Sequence, residues 1–274
     1  MYNPLVVTVE IITIGNEVLL GLVQDTNSNY LCRVVRGMGG RVRHIVVVRD
    51  EVDAIAEEIR ASIRRRADLV FTCGGLGPTD DDLTMAAVAE ALGVKLSIDS
   101  AARKFVERRY RELASDGHVT SADMNESRLK MAHLPEGASM VENHIGAAPA
   151  AVIEIQGAKI VSLPGVPSEL KGIVEGSLQH FLAGVFGQGS YRERELIVAC
   201  NDESQLAPVL RKVAGLHSNV YIKSRASRFG RDVMFRIMLS ASGANSAEAD
   251  LRISQAADDL THTLKEAGIH INKV

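Results

Sequence analysis

The sequence predicts an α/β protein: a doubly wound, mostly parallel sheet covered by helices, followed by a small α+β domain. Three observations carry this. Short runs rich in Val and Ile, apolar on both faces, alternate with longer amphipathic stretches through the first two-thirds of the chain. The 274 residues, 46% hydrophobic and 24% charged, suffice for one large or two modest cores. Glycines and polar residues break the periodicity at "GVFGQGSY" (184–191), after which the pattern changes to β-α-β-β-α-β.

The first strand is "VEIITIG" (9–15). "TNSNYLCRVVRGMGG" then reads as a helix capped by Thr26 and closed by glycines. "RVRHIVVV" (41–48) and "DLVFTC" (68–73) are the next strands, and all three have the composition of central, helix-covered strands. Between them, "EVDAIAEEIRASIRRRA" puts Val52, Ile55, Ile59 and Ile63 on one stripe with charges opposite. Strand–helix repeats of this kind wind a sheet in two directions. "TDDDLTMAAVAEALG" and "SAARKFVERRYRELAS" predict helices, and "MNESRLKMAHLPEGA" continues a helical middle. "AVIEI" and "KIVSL" form a hairpin about "QGA", and a last helix opens after "PGVP". The domains run over 1–186 and 187–274.

Several function classes drop out. A net charge of −3 makes nucleic acid an unpromising partner for the whole chain. Cys32, Cys73 and Cys200 are far apart and odd in number, which argues against a disulfide framework or zinc site and suits a reducing cytoplasm. The apolar N-terminal run lacks a basic leader and is interrupted by Glu10, so it is a strand rather than a signal peptide. No apolar segment reaches the roughly 18 residues of a membrane span, so a membrane is not an expected partner.

Residues 72–82 read "TCGGLGPTDDD". Gly74, Gly75 and Gly77 let backbone N–H groups approach a phosphate, yet three carboxylates that repel phosphate follow at once. The loop leaves the carboxyl end of a strand, where open α/β sheets bind ligands. A divalent cation reconciles the two, since Mg²⁺ is commonly held by one or two carboxylates plus phosphate oxygens. Asp82 and Asp81 are the candidate metal ligands; Gly74, Gly75, Gly77 and Thr79 are candidate substrate contacts. The competing reading is a capping box from Thr79 to Asp82, which accounts for one or two acids but not for three glycines. Neither the P-loop ending nor the G-x-G-x-x-G spacing is present.

Further stretches belong to the same rim. Gly15 ends the first strand, and Glu17, Asn27 and Ser28 follow, either capping a helix or hydrogen-bonding a ribose or ring edge. Asp50 directly follows the second strand, as a helix cap or a second rim acid. After Leu163, Pro164 and Gly165 make a rigid turn, and Glu169 lies in the first turn of the helix beyond, where a phosphate or ring could dock. Asn125, near Arg128 and Lys130, is a candidate contact for an anionic substrate. The histidines are scattered without metal-ligand spacing, and Cys73 reads as a small packed residue.

The stretches "IGNEVLLG", "DTNSNYL", "TCGGLGPTDDDLT", "NHIGAAPA" and "LPGVPSEL", in that order across residues 9–171, resemble the molybdopterin-binding (MoaB/Mog-like) fold of molybdenum-cofactor biosynthesis proteins. Most of all they resemble the CinA family, named for competence-damage-inducible protein. The segment around "NVYIKS" is similar to that family's KH-like domain. The resemblance implies a three-layer α/β/α sandwich, a KH-like α+β domain and a homo-oligomer. It further implies hydrolysis of the pyrophosphate in ADP-ribose or a related dinucleotide, with Mg²⁺, Mn²⁺ or Co²⁺ as cofactor. Asp82 and Asp50 would then stand at the metal and phosphates, Glu169 would orient the substrate or act as base, and Gly146 would lie in a substrate loop. One alternative is binding or transfer of a pterin nucleotide. A lesser one is RNA binding by the C-terminal domain, whose "SRASRFGR" carries Arg225, Arg228 and Arg231 but a single glycine where a KH clamp has G-x-x-G. The family's usual acid after the first glycine is Asn16 here, and its Gly-Thr-Ala-Pro-Gly is Gly146-Ala147-Ala148-Pro149-Ala150. Many members continue into a domain that deamidates nicotinamide mononucleotide; that activity is not expected of this chain.

Overall fold

The structure, a computed structural model, describes residues 6–155, 157–187, 190–200, 202–226 and 234–273. The chain forms two compact units, one running through Val185 except Arg36–Gly40, the other taking those residues and the chain from Phe186.

The first unit begins β1 (Thr8–Ile14), α1 (Asn16–Leu19), α2 (Thr26–Gly37), β2 (Arg41–Val48), α3 (Val52–Arg64), β3 (Leu69–Cys73) and α4 (Thr84–Leu92). There follow β4 (Leu96–Ile98), α5 (Ser100–Ser115), α6 (Glu126–Lys130), β5 (His133–Pro135) and β6 (Ser139–Val141). It closes with β7 (Ala150–Ile155), β8 (Ala158–Leu163), α7 (Pro167–Glu175) and α8 (Gln179–Phe186). The six-stranded sheet has the order β2-β1-β3-β8-β7-β6. β2, β1, β3 and β8 run parallel, while the β8–β7 and β7–β6 pairs are antiparallel.

Burial follows position in that order. β1 and β3 are buried along their whole length, as strands with neighbours on both sides and helices on both faces. Ile12, Ile14, Val70 and Ile160 pack on one face against Ile55 and Ile59 of α3 and Ala87 and Val88 of α4. Thr13, of opposite parity in β1, instead meets Ser28 of α2 at 2.8 Å, which puts α2 on the other face.

Two expectations need correction here. β2 is an edge strand, largely exposed, with Ile45 45% accessible, rather than a central one. Val and Ile report the fit of branched side chains to any pleated surface, so their density does not separate edge from centre. The stretch "MNESRLKMAHLPEGA" is not one helical region but short α6 followed by β5, which pairs with β4 from Leu96↔Pro135 to Ile98↔His133. Pro135 cannot continue a helix, and an edge strand tolerates its missing donor.

Glu10 of β1 is fully buried, yet it holds the turn after α3 to β2. Its Oε2 accepts from Arg65 at 3.0 and 2.7 Å, and its Oε1 accepts from Arg65 at 3.1 Å and from Arg43 at 2.7 Å. Burial alone would push this carboxyl up, but hydrogen bonds from Arg65, Ser62 and Arg43 outweigh it and hold the pKa below the ordinary range. A lowered pKa in the folded state stabilises above the unfolded value, about 4.3, and that stabilisation is lost as pH falls through the folded value. Glu10→Gln is expected to cost roughly 3 kcal/mol at neutral pH. It should also flatten the fall of the melting temperature between about pH 5 and pH 3. Thermal melts across that window check both.

The second unit contains β9 (Ser190–Ala199), α9 (Glu203–Leu216), β10 (Val220–Ala226), β11 (Met234–Gly243), α10 (Ser246–Glu266) and β12 (His270–Lys273). This is the expected β-α-β-β-α-β order, closed as an antiparallel sheet β10-β11-β9-β12. Leu196, Val198, Phe235, Ile237 and Leu239 of the sheet meet Leu206 of α9 and Leu260 of α10 in one core. Arg228 and Arg231, raised above for RNA, lie outside the described residues. No helix among the described residues is long and apolar enough to cross a membrane.

Candidate functional site

Because β2 and β3 flank β1 on opposite sides, the chain reverses its winding direction at β1. Open α/β sheets place their ligand crevice at that switch, outside the carboxyl ends of the strands. A cleft of about 530 Å³ lies there. It gathers Glu17 from the β1 side, Asp50 after β2, the loop Gly74–Pro78 with Asp81 and Asp82 after β3, and Pro164, Gly165 and Glu169 after β8. These residues, far apart in sequence, meet because all four strands are parallel and end on one rim. Tyr110, Met131, Ala147 and Ala148 form an apolar flank.

The glycine loop is built as a close backbone approach. Gly74 has φ 111°, and a Cβ there would stand 2.2 Å from the Ile14 carbonyl oxygen. Gly75 has φ 66° and would collide with Thr84 Oγ1 at 2.4 Å. Thr84 fastens the loop to α4, its hydroxyl donating to the Gly74 carbonyl at 2.7 Å and its N–H to the Gly75 carbonyl at 3.1 Å. The Gly74 N–H is spent on the Leu163 carbonyl at 2.9 Å, so Gly74 shapes the loop rather than offering a donor. Among the described residues, the N–H groups of Gly75, Leu76 and Gly77 donate to no protein acceptor. Three consecutive unpaired donors lining the cleft are of the kind that can serve an anion's oxygens.

The acids lie beside these donors, a Cβ on Gly77 standing 2.6 Å from Asp82 Oδ2. Thr79 gathers two of the acids: its N–H donates to Asp82 Oδ2 at 2.9 Å, and its hydroxyl, with one proton shared between them, lies 2.6 Å from Asp82 Oδ2 and 2.5 Å from Asp81 Oδ1. These bonds fall on one oxygen of each carboxylate. Hydrogen bonds from Thr79 and the backbone hold the Asp81 carboxyl below its ordinary range, with the Lys130 charge adding. The helix itself starts later, at Thr84, with Leu83 as its uncharged cap, so the Thr79–Asp82 turn is not the helix cap. Thr79 thus positions the acids and does not itself line the cleft. Asp80 is exposed and stands outside the cleft.

Asp50 does not cap α3, whose capping residue is Glu51. Its Oδ2 instead accepts from the Asn16 N–H at 2.7 Å, tying the β2 end to the β1 end. Gly15 lies beneath this link, buried, and a Cβ there would press on the Glu17 carboxylate at 2.6 Å. Asn27 and Ser28 do not face the cleft. Asn27 is buried and donates to the Gly165 carbonyl at 2.7 Å, while Ser28 is engaged with Thr13. Asp25, not Thr26, caps α2, its Oδ1 accepting from the Ser28 N–H at 2.9 Å. Asn125 also lies outside the cleft; its side chain caps α6 through the Arg128 N–H at 2.9 Å. In each case a polar side chain that could serve a ligand is consumed within the protein, Asn27 and Asn125 by backbone and Ser28 by the Thr13 hydroxyl.

Sequence reasoning missed the organiser of the remaining wall. Asn143, fully buried, donates to Glu169 Oε2 at 2.6 Å and to the Ala148 carbonyl at 2.9 Å, while its oxygen accepts from Ile145 and Gly146 N–H groups. Arg109 adds bonds to the Ile145 and Gly146 carbonyls, both at 2.9 Å. Gly146 is a spacer: a Cβ there would lie 2.1 Å from Glu169 Oε2. Within "NHIGAAPA" nothing distinguishes Asn143 from a loop residue, and Arg109 reads as a solvated helix position.

Cys73, just before the glycines, is buried, and burial with the nearby Asp25 charge pushes its thiol far up. It should resist iodoacetamide at pH 8 in the native protein and react only on unfolding, which mass mapping of labelled peptides would show.

Among the described residues no three His, Cys, Asp or Glu side chains stand close enough to hold a metal by themselves. The donor set therefore does not suit an all-protein cage. It does suit a cation of the Mg²⁺ type, which takes one or two carboxylates and completes its shell with waters and phosphate oxygens.

A mostly parallel sheet with a glycine loop and acids at its switch point defines a ligand-binding α/β protein. Residues 10–184 match the family described as a probable molybdopterin binding domain, and the chain belongs to it. Protein TK1472 of Thermococcus kodakarensis is 40% identical over 222 residues, covering 81% of this chain and 86% of that one. Protein PAE0875 of Pyrobaculum aerophilum is 38% identical over 256 residues, 93% of each. Among solved structures, the protein CinA of unknown function from Thermoplasma acidophilum is similar, with TM-score 0.59 and 32% identity over 65% of this chain and 99% of that one.

Proposed function

We propose that the chain is a divalent-metal-dependent pyrophosphatase acting on ADP-ribose or a related dinucleotide. One observation carries the reading: three free backbone N–H groups at Gly75–Gly77 and the acids Asp81 and Asp82 share a single cleft. The donors suit phosphate oxygens, and the acids suit the cation that accompanies them. Such a cation supplies charge neutralisation and a water of lowered pKa. Asp82 and Asp81 would hold it, and Asp50, anchored on Asn16, would add negative charge across the cleft. Glu169, oriented by Asn143, takes the proton as the water oxygen joins one phosphorus and the bridging P–O bond breaks, releasing AMP and ribose 5-phosphate. The test is release of AMP from ADP-ribose by the purified chain with Mg²⁺, Mn²⁺ or Co²⁺; no release with any of them overturns the proposal.

A second reading, binding or transfer of a pterin nucleotide, is favoured by the family's description. Tight pterin-nucleotide binding without hydrolysis would select it. The exposed run Leu19, Leu20, Leu22 and Val23 offers an apolar surface for the proposed homo-oligomer, which light scattering would detect.

A further inference from the structure

Beside the glycine loop lies a second cavity, of about 420 Å³, walled by Leu83, Met85, Ala86, Leu96, Leu129 and Pro149. It shares Gly75–Gly77, Asp82 and Met131 with the cleft, so the two voids adjoin along the loop. The two differ in kind. The cleft presents carboxylates and backbone donors, whereas the second cavity is mainly apolar, a shape and surface suited to a ring.

Its few polar groups specify what kind of ring. His133 Nδ1 lies 3.1 Å from the Leu129 carbonyl, which only accepts, so Nδ1 donates and the neutral imidazole has Nε2 left as an acceptor. Glu126 is a second acceptor. Lys130 holds the Thr79 carbonyl with one N–H and has others to give. One cationic donor beside two acceptors matches the edge of a nitrogen heterocycle with an exocyclic amino group. Met85, Met131 and the leucines suit its faces. A phosphate fits poorly there, because Asp82 and Glu126 face a single lysine.

We infer that the second cavity is a ring subsite, taking the amino-bearing nitrogen heterocycle, a purine or a pterin, of the ligand whose phosphates bind in the cleft. The inference rests on the proposed function for its phosphate end but not on hydrolysis.

Calorimetric titration of the whole chain tests it with separated halves of the ligand: adenosine and neopterin as rings, inorganic pyrophosphate with Mg²⁺ as the phosphate part. Ala86→Trp, which fills the cavity from α4, should weaken the bound ring at least tenfold and leave pyrophosphate within twofold. His133→Phe, which keeps a flat ring but removes the acceptor, should weaken it at least threefold and covers the case in which the tryptophan does not fold. Asp82→Asn, at a residue that borders both voids, should weaken pyrophosphate at least tenfold more than it weakens the ring. The ring bound more tightly identifies the heterocycle. The inference is overturned if neither ring binds, if a ring binds equally to both cavity variants, or if Ala86→Trp weakens pyrophosphate as much as the ring. Absence of AMP release, with ring binding lost in Ala86→Trp, would remove the hydrolytic function and leave the subsite standing.

Discussion

Asp82→Asn is expected to lower metal-dependent AMP release from ADP-ribose by about a hundredfold or more, the usual scale for losing a preorganised charge at a reacting centre. The substitution isolates charge from geometry. An asparagine oxygen can still accept from the Thr79 N–H and hydroxyl, the bonds that now fix Asp82 at 2.9 and 2.6 Å, so the turn stays folded. Asp81→Asn should cost less, since that carboxylate is more exposed, and Asp80→Asn should cost nothing measurable. Thr79→Val gives the pH signature. The Thr79 hydroxyl is the largest influence lowering the Asp81 pKa, so its removal lets that pKa rise. The carboxylate is then lost at a higher pH, and the acid limb of the rate profile should move upward. An acid limb that stays in place would show that Asp81 does not serve the reaction. Steady-state rates from about pH 4 to pH 8 separate these outcomes.

Gly74→Ala should destabilise the first unit by about 3 kcal/mol or more, the sum of a strained positive φ and an overpacked contact. The new Cβ would stand 2.2 Å from the carbonyl oxygen of Ile14, in the middle of the sheet, where nothing can swing aside. Gly77→Ala is the informative contrast. Its Cβ meets the Asp82 carboxylate at 2.6 Å, the end of a side chain that can rotate. Stability should change by less than about 1 kcal/mol, while cation-dependent binding falls because the acid has moved. Urea unfolding of the two variants, with the binding measurement on Gly77→Ala, distinguishes a loop that frames the site from one that merely connects β3 to α4. Equal destabilisation by both would contradict the distinction.

What could be read in the chain beforehand followed from local rules. The β1, β3 and β8 ends were visible because Gly15, Gly74 and Pro164 each stop a run of branched residues, and strand ends of parallel sheets share a rim. The acids Glu17, Asp50, Asp81, Asp82 and Glu169, assigned to that rim, line one cleft. Asn27, Ser28 and Asn125 do not line it, since a polar side chain at a helix start looks alike in sequence whether it serves a ligand or the protein itself. Only the partner decides, and for Asn27 that partner, Gly165, lies far along the chain. Asn143 escaped for the same reason, its role resting on Glu169 and Ala148. The β4–β5 pair was hidden because three-residue strands leave almost no periodicity.

The central claim is that a divalent cation lets the phosphates of the ligand and the carboxylates of Asp81 and Asp82 occupy one cleft. Electron spin resonance of Mn²⁺ measures this directly. The protein alone should take up little Mn²⁺, ADP-ribose should tighten the uptake at least tenfold, and Asp82→Asn should abolish that gain. If ADP-ribose binds with the same affinity in the presence and absence of Mn²⁺, and Asp82→Asn leaves Mn²⁺ uptake unchanged, the carboxylates serve only their own turn and the account is wrong.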